Sequence, residues 1–353
     1  MEGDGASVPP ITLMGALIAV CTDPGCALTL GVAVCAAGYS GVRSVAEERK
    51  VDAAGRRVES AVESVEIDGR GAVIVPLASS LFLLFLYYLG ALGATEVLAV
   101  LGGGAGAVAV AFTFGSRLVA ALVATAWVIT GHWALNNILG VGLVCLSASH
   151  LRLPDLKTAS LVLVLLVVYD VLWVYVSPWF MPGGDSVMVA VATQTATSPV
   201  VQAARAVGVS TYLPRFVAQN LSPPAKLILP ALGSGREGDF IFLGLGDVVV
   251  PALLLSLALA WDARRSPVGG SAWTAAKAGP LFRASLAAYG LSILFTFAVG
   301  VAYNAAQPAL FFIVPAMLAA LTVSASRAGV LRALWHGPRP QAPDFQDDKQ
   351  SMV

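Results

Sequence analysis

The run LVLVLLVVYDVLWVYV, residues 161–176, is apolar throughout except for one carboxylic acid, Asp170. Inside hydrocarbon a charged side chain costs about 2.5–3.5 kcal/mol on insertion scales, so it persists there only with a partner or a function. Residues 240–251, FIFLGLGDVVVP, form a second apolar run with a second embedded acid, Asp247. Each of the two acids calls for the same remedy, a shared interior, and the chain must fold so as to provide one.

The whole chain supports a membrane reading of both runs. With 57% apolar and 12% charged residues in 353, and a mean hydropathy of +0.80, it is too apolar for a water-soluble domain of this length. Formal net charge is zero and no large basic block is present, which argues against a nucleic-acid partner and makes the lipid bilayer the main solvent. The four cysteines, Cys21, Cys26, Cys35 and Cys145, sit in or beside apolar segments without metal-ligand spacing and read as small apolar fillers. Three histidines make no metal cluster, and no cofactor or metal is called for.

Apolar segments bounded by charge and turn residues predict an all-α polytopic membrane protein with nine transmembrane helices. The spans fall at about 10–37, 72–93, 96–114, 116–132, 133–149, 158–177, 239–261, 281–303 and 308–325. Together they make 1–325 a single transmembrane domain and leave 326–353 as a polar tail. The start lacks a basic leader region, so the first run is expected to be retained as a span. Residues 38–71 carry charges of both signs, including Arg43, and read as a solvated, partly helical loop. The long connection after the sixth span is rich in proline; 186–196 within it is apolar but too short to cross and reads as a helix against the bundle.

Alternating the loops across nine spans puts 17 basic residues on one side, and on the other only Arg205, Arg215, Lys226 and Arg236. The positive-inside rule then places the carboxyl terminus in the cytosol and the amino terminus in a lumen or outside the cell. The membrane would be the endoplasmic reticulum or another endomembrane in a eukaryote, and the plasma membrane in a prokaryote.

On this topology Asp170 lies seven residues before the outer end of its span, roughly 10 Å at the helical rise. Asp247 lies about 12 Å below the same face on the returning span. Two carboxylates at matching depth, brought close together, resist double ionisation and share a proton, giving one base and one acid. Such a pair can take a proton from water while protonating an amide carbonyl. Gly244 and Gly246 remove side chains just ahead of Asp247 and let backbone approach closely. Pro308, in the sequence Gln307-Pro308-Ala309-Leu310, has no amide hydrogen, so its segment need not be helical and would offer free backbone groups to an extended peptide while Leu310 fills the cleft.

Tyr169-Asp170, Gly244-Leu245-Gly246-Asp247 and Gln307-Pro308-Ala309-Leu310, in this order on late spans, resemble the three signatures of the presenilin and signal peptide peptidase family of intramembrane aspartyl proteases. The stretches His132-Trp133-Ala134-Leu135-Asn136-Asn137, 187–192 and 246–251 look closer to the signal peptide peptidase branch. The resemblance runs over most of the chain from about His132. It implies a presenilin-like fold and Asp170 and Asp247 as the catalytic pair. Tyr169, Gly244, Leu245 and Gly246 become their supports, and Gln307, Pro308, Ala309 and Leu310 the segment that closes the active site. The implied partners are membrane-spanning peptides or remnant signal peptides, of type II orientation by the topology above, with association into homo-oligomers left open. Residues 177–186 depart from the pattern as an insertion. No large ectodomain precedes the first span and no dilysine ends the chain, so the compartment stays open.

Two other classes fit part of this pattern. Paired intramembrane carboxylates also carry protons or cations in transporters, and a silent scaffold could bind membrane helices without cutting them. The lack of an evident internal repeat and the presence of the closing segment count against the transporter. His132 beside Trp133 reads as an interfacial anchor, and Asp155, Asp185, Asp239 and Asp262 fall in loops or interfaces, where charge costs little.

Overall fold

The structure is a computed structural model that describes residues 12–48, 65–181, 184, 186–207, 217, 220–231, 240–265, 272–303 and 305–337. The parts of the sequence reading that rest on Asp185, Asp239, Arg215, Arg236, the loop 49–64 and the tail beyond 337 lie outside these residues.

The first apolar run is two helices, α1 (Leu13–Thr22) and α2 (Pro24–Glu48). Between them Asp23 accepts the amide of Gly25 at 2.7 Å, and Pro24, which lacks an amide hydrogen, opens the second helix. Residues 38–48, expected in a solvated loop, instead continue α2. Arg43 explains the difference: its guanidinium donates to the carbonyls of Thr113 and Phe112 at 2.6 and 2.8 Å and lies over the Phe112 ring. It thereby satisfies carbonyls at the end of α4 (Thr95–Phe114), which have no partner within their own helix.

The helices α3 (Gly71–Ala91), α4, α5 (Arg117–Thr130) and α6 (Trp133–His150) follow. Glycines bring α4 and α6 together: a methyl at Gly106 would meet Leu139 at 2.9 Å, and one at Gly142 would meet Val110 at 3.1 Å. The short strands β1 (Val65–Glu66) and β2 (Leu151–Arg152) pair in parallel and tie the start of α3 to the end of α6.

Next comes α7 (Leu156–Val171), opened by Asp155 accepting the Thr158 amide at 2.7 Å. It gives way to one π turn, Leu172–Val176, and a 3-10 turn, Ser177–Trp179. The π turn leaves the Trp173 carbonyl to accept both Ser177 and Ser186 hydroxyls, at 2.7 and 2.9 Å. In this way the insertion folds back, and α8 (Val187–Thr193) packs on α3 and the π turn. A peripheral pair, β3 (Ala196–Thr197) with β4 (Asn220–Leu221), brackets α9 (Pro199–Ala206).

The seventh expected span does not begin as a helix. Residues Phe240–Gly244 form β6, antiparallel to β5 (Lys226–Pro230), and the helix α10 runs Gly246–Arg265. The rest is helical: α11 (Ala272–Ala278), α12 (Pro280–Tyr303), α13 (Ala309–Arg327) and the short α14 (Leu331–His336). Asp262, assigned from sequence to an interface, is buried near the end of α10 and accepts the amides of Leu281 and Phe282, capping α12.

Among the described residues seven helices are long and apolar enough to cross a membrane: Pro24–Ala46, Gly71–Ala91, Thr95–Phe114, Leu156–Trp179, Gly246–Arg265, Pro280–Tyr303 and Ala309–Arg327. The fourth and fifth expected spans correspond to α5, of 14 residues, and α6, whose two asparagines and terminal histidine lower its hydropathy. The chain is a helical, multi-pass membrane protein. Its most deeply buried helix is α10, held among α2, α6, α12 and α13.

Candidate active site

Asp170 occupies the last turn of α7 and is 3% exposed. Its Oδ2 accepts the Leu310 amide at 3.0 Å. The donor is available for a simple reason: Leu310 lies in the first turn of α13, where amides have no intrahelical acceptor, and the extended Pro308 before it supplies no capping side chain. A carboxylate from another helix fills the vacancy, at the end of α13 whose dipole favours negative charge.

Asp247 sits in the first turn of α10 and is only half-buried, beside the exposed Gly246. Its backbone is anchored on both sides. Leu245 donates its amide to Ala225 at 3.0 Å, and the fully buried Tyr289 of α12 donates its hydroxyl to the Asp247 carbonyl at 2.8 Å. Gly244 is needed where it stands, because a methyl there would lie 3.2 Å from Asp247 Oδ2. A methyl at Gly246 would meet nothing within 4 Å. Leu245 fills the groove at Gly140 of α6, 3.1 Å from where a methyl on that glycine would be.

The two carboxylates are close enough for Asp247 to sense the charge of Asp170, and the Tyr169 side chain senses both. Of the closing segment, Leu310 reaches Asp170 directly. Pro308, Ala309 and Leu310 are buried, and Gln307 accepts a short hydrogen bond from the Tyr175 hydroxyl on the π turn after Asp170. Below the acids, Leu163, Val250, Leu254, Ile313, Val314 and Met317 close α7, α10 and α13 together with no cavity that would hold a water. Among the described residues no three His, Cys, Asp or Glu side chains gather to hold a metal ion. His132 caps α6 by accepting the Ala134 amide at 3.2 Å.

The hairpin that carries the glycines depends on residues to which sequence reasoning gave no role. Asn136 donates to the Lys226 carbonyl at 2.9 Å, while Asn137 both donates to and accepts from the Ile228 backbone at 2.8 Å. These side chains satisfy the outer edge of β5 from α6, standing in for a third strand. Two adjacent asparagines in an apolar helix were the available signal, since buried amides require partners.

Residues 109–341 match the signal peptide peptidase family. The chain belongs to that family. It is 31% identical over 357 aligned positions to signal peptide peptidase-like 1 of Oryza sativa subsp. japonica, covering 90% of this chain and 94% of that protein. It is 38% identical over 233 to signal peptide peptidase-like 1 of Arabidopsis thaliana, covering 63% of this chain and 61% of that protein. Against intramembrane protease 2 of Caenorhabditis elegans it is 29% identical over 226, covering 63% of this chain and 42% of that protein. The chain therefore spans less than two thirds of the length of several relatives and nearly all of the rice one. No solved structure matches it. Membership places the chain among the intramembrane proteases.

Proposed function

We propose that the chain hydrolyses peptide bonds inside the membrane with Asp170 and Asp247 as an aspartyl dyad. The observation that carries this reading is their convergence from α7 and α10, with Asp170 held by the Leu310 amide. One carboxylate, ionised, takes a proton from water as the oxygen attacks the amide carbon. The other, protonated, gives its proton to the carbonyl oxygen, and collapse of the tetrahedral intermediate releases a carboxylic acid and an amine.

A substrate helix must first unwind, because its carbonyls are hidden in its own hydrogen bonds and free amides in hydrocarbon cost several kcal/mol. The outer edge of β5 is taken by Asn136 and Asn137, so β6 is the strand left to receive an extended peptide, with Gln307 to Leu310 closing over it. Nine spans, with the amino terminus lumenal or external and the carboxyl terminus cytosolic, favour type II segments and leftover signal peptides as substrates.

The test is purified protein in detergent with a single-span peptide, read by fragment mass. Cleavage by wild type and none by Asp170→Ala or Asp247→Ala supports the dyad, whereas full activity in either variant removes it. One span presented in both orientations to vesicles tests the topology: equal cleavage overturns the type II preference and leaves the dyad standing.

A further inference from the structure

One buried cation beside the candidate site has no part in the chemistry described so far. Lys226 opens β5 directly opposite Gly244, the residue whose missing methyl leaves room for the Asp247 carboxyl. Strand alternation puts the side chains of Lys226, Phe242 and Phe240 on the face that Gly244 turns toward Asp247. On the opposite face Leu227, Leu229 and Leu243 join the core. That face is open at its aromatic end, where Phe240 and Phe242 are 45% and 50% exposed, and closes over Ile228 and Lys226. It is an apolar, aromatic surface with a single ammonium at the end nearest the acids.

Among the described residues that ammonium has little to compensate its charge. Lys226 is 6% exposed; its Nζ donates to the Ala192 carbonyl in the last turn of α8 and lies 4.6 Å from the Phe242 ring centroid. An ammonium has three donors, and a single carbonyl and an aromatic face do not neutralise it. No carboxylate among the described residues pairs with it. Burial pushes its pKa below the usual lysine value, the mark of a charge short of solvation.

We propose that Lys226 determines specificity by receiving an acidic side chain of the substrate a few residues from the cut. This rests on the reading of Asp170 and Asp247 as the dyad. The ammonium belongs to the strand residue facing Gly244, and a lysine side chain spans roughly two residues of extended chain, which puts the acid within about three residues of the cut. A peptide paired with the edge of β6 and presenting a carboxylate on the aromatic side would bring it to this cation, displacing the Phe242 ring and completing the ion pair.

The test uses full-length protein in detergent and single-span peptides carrying Asp, or its neutral isostere Asn, at each position from the fourth before to the fourth after the cut. Wild type should prefer Asp at one position by about tenfold in kcat/KM, chiefly through KM, as a charge-assisted hydrogen bond allows. Lys226→Met should erase that preference and still cleave the Asn peptide within about threefold of wild type, while Lys226→Arg should keep it. Lys226→Gln asks the same question if the methionine variant does not accumulate. Two results overturn the proposal: no position at which wild type prefers Asp, or equal losses on both peptides in the neutral variants, the signature of a lysine that only caps α8. A wild type that cleaves neither peptide sinks the protease reading, and the role of Lys226 with it.

Discussion

Asp170 and Asp247 are the same residue type at one site, yet the protein holds them in opposite ways. Asp170 is gripped by its side chain, buried and bonded to an amide of α13. Asp247 is gripped by its backbone, through Tyr289 and the hairpin, and its carboxyl faces space kept clear by Gly244. The contrast separates a carboxylate fixed by the amide it accepts from one set by its backbone, with Gly244 leaving room beside it.

The severest test of the contrast is to remove each acid. Asp170→Ala and Asp247→Ala should each leave no product above background by fragment mass, and the double variant should be no worse, since groups acting as a unit are not additive. Next, the two glycines should differ. Gly244→Ala presses a methyl against Asp247 Oδ2 and should lower kcat about tenfold, given that displacements near 1 Å cost about a hundredfold. Gly246→Ala has open space and should stay within about twofold. Equal losses at both would contradict the assigned role of Gly244.

Smaller effects belong to the backbone grip. Tyr289→Phe removes the hydroxyl from the Asp247 carbonyl, a hydrogen bond worth about 1 kcal/mol, and should cost about fivefold in kcat with KM unchanged. A loss confined to KM would show that Tyr289 serves substrate binding instead. Smallest of all, Tyr175→Phe frees Gln307 at a half-exposed contact and should alter kcat/KM by about twofold. A loss above tenfold would make that contact part of the site proper.

Much of this arrangement was legible in the sequence because charge is rare in hydrocarbon. Asp170 and Asp247 announced themselves against their surroundings, and the proline of Gln307-Pro308-Ala309-Leu310 marked the break beyond which Asp170 accepts the Leu310 amide. Two things were not legible. The strand Phe240–Gly244 is as apolar as a span, and no periodicity separates a short apolar strand from a helix start. Arg43 looked solvated because its acceptors, carbonyls at the end of α4, exist only once the helices have packed.

The side chains beneath the acids, Leu163, Val250, Leu254, Ile313, Val314 and Met317, leave no water-sized gap between α7, α10 and α13. Water entering at the acids would meet a dry floor there. A file of hydrogen-bonded water molecules that could hand protons onward has no room at this contact of three helices. A transporter with paired acids needs such a path on both sides in turn, whereas a hydrolase gains by having only one. Closed in this way, the contact of α7, α10 and α13 offers no water-filled route for charge through it.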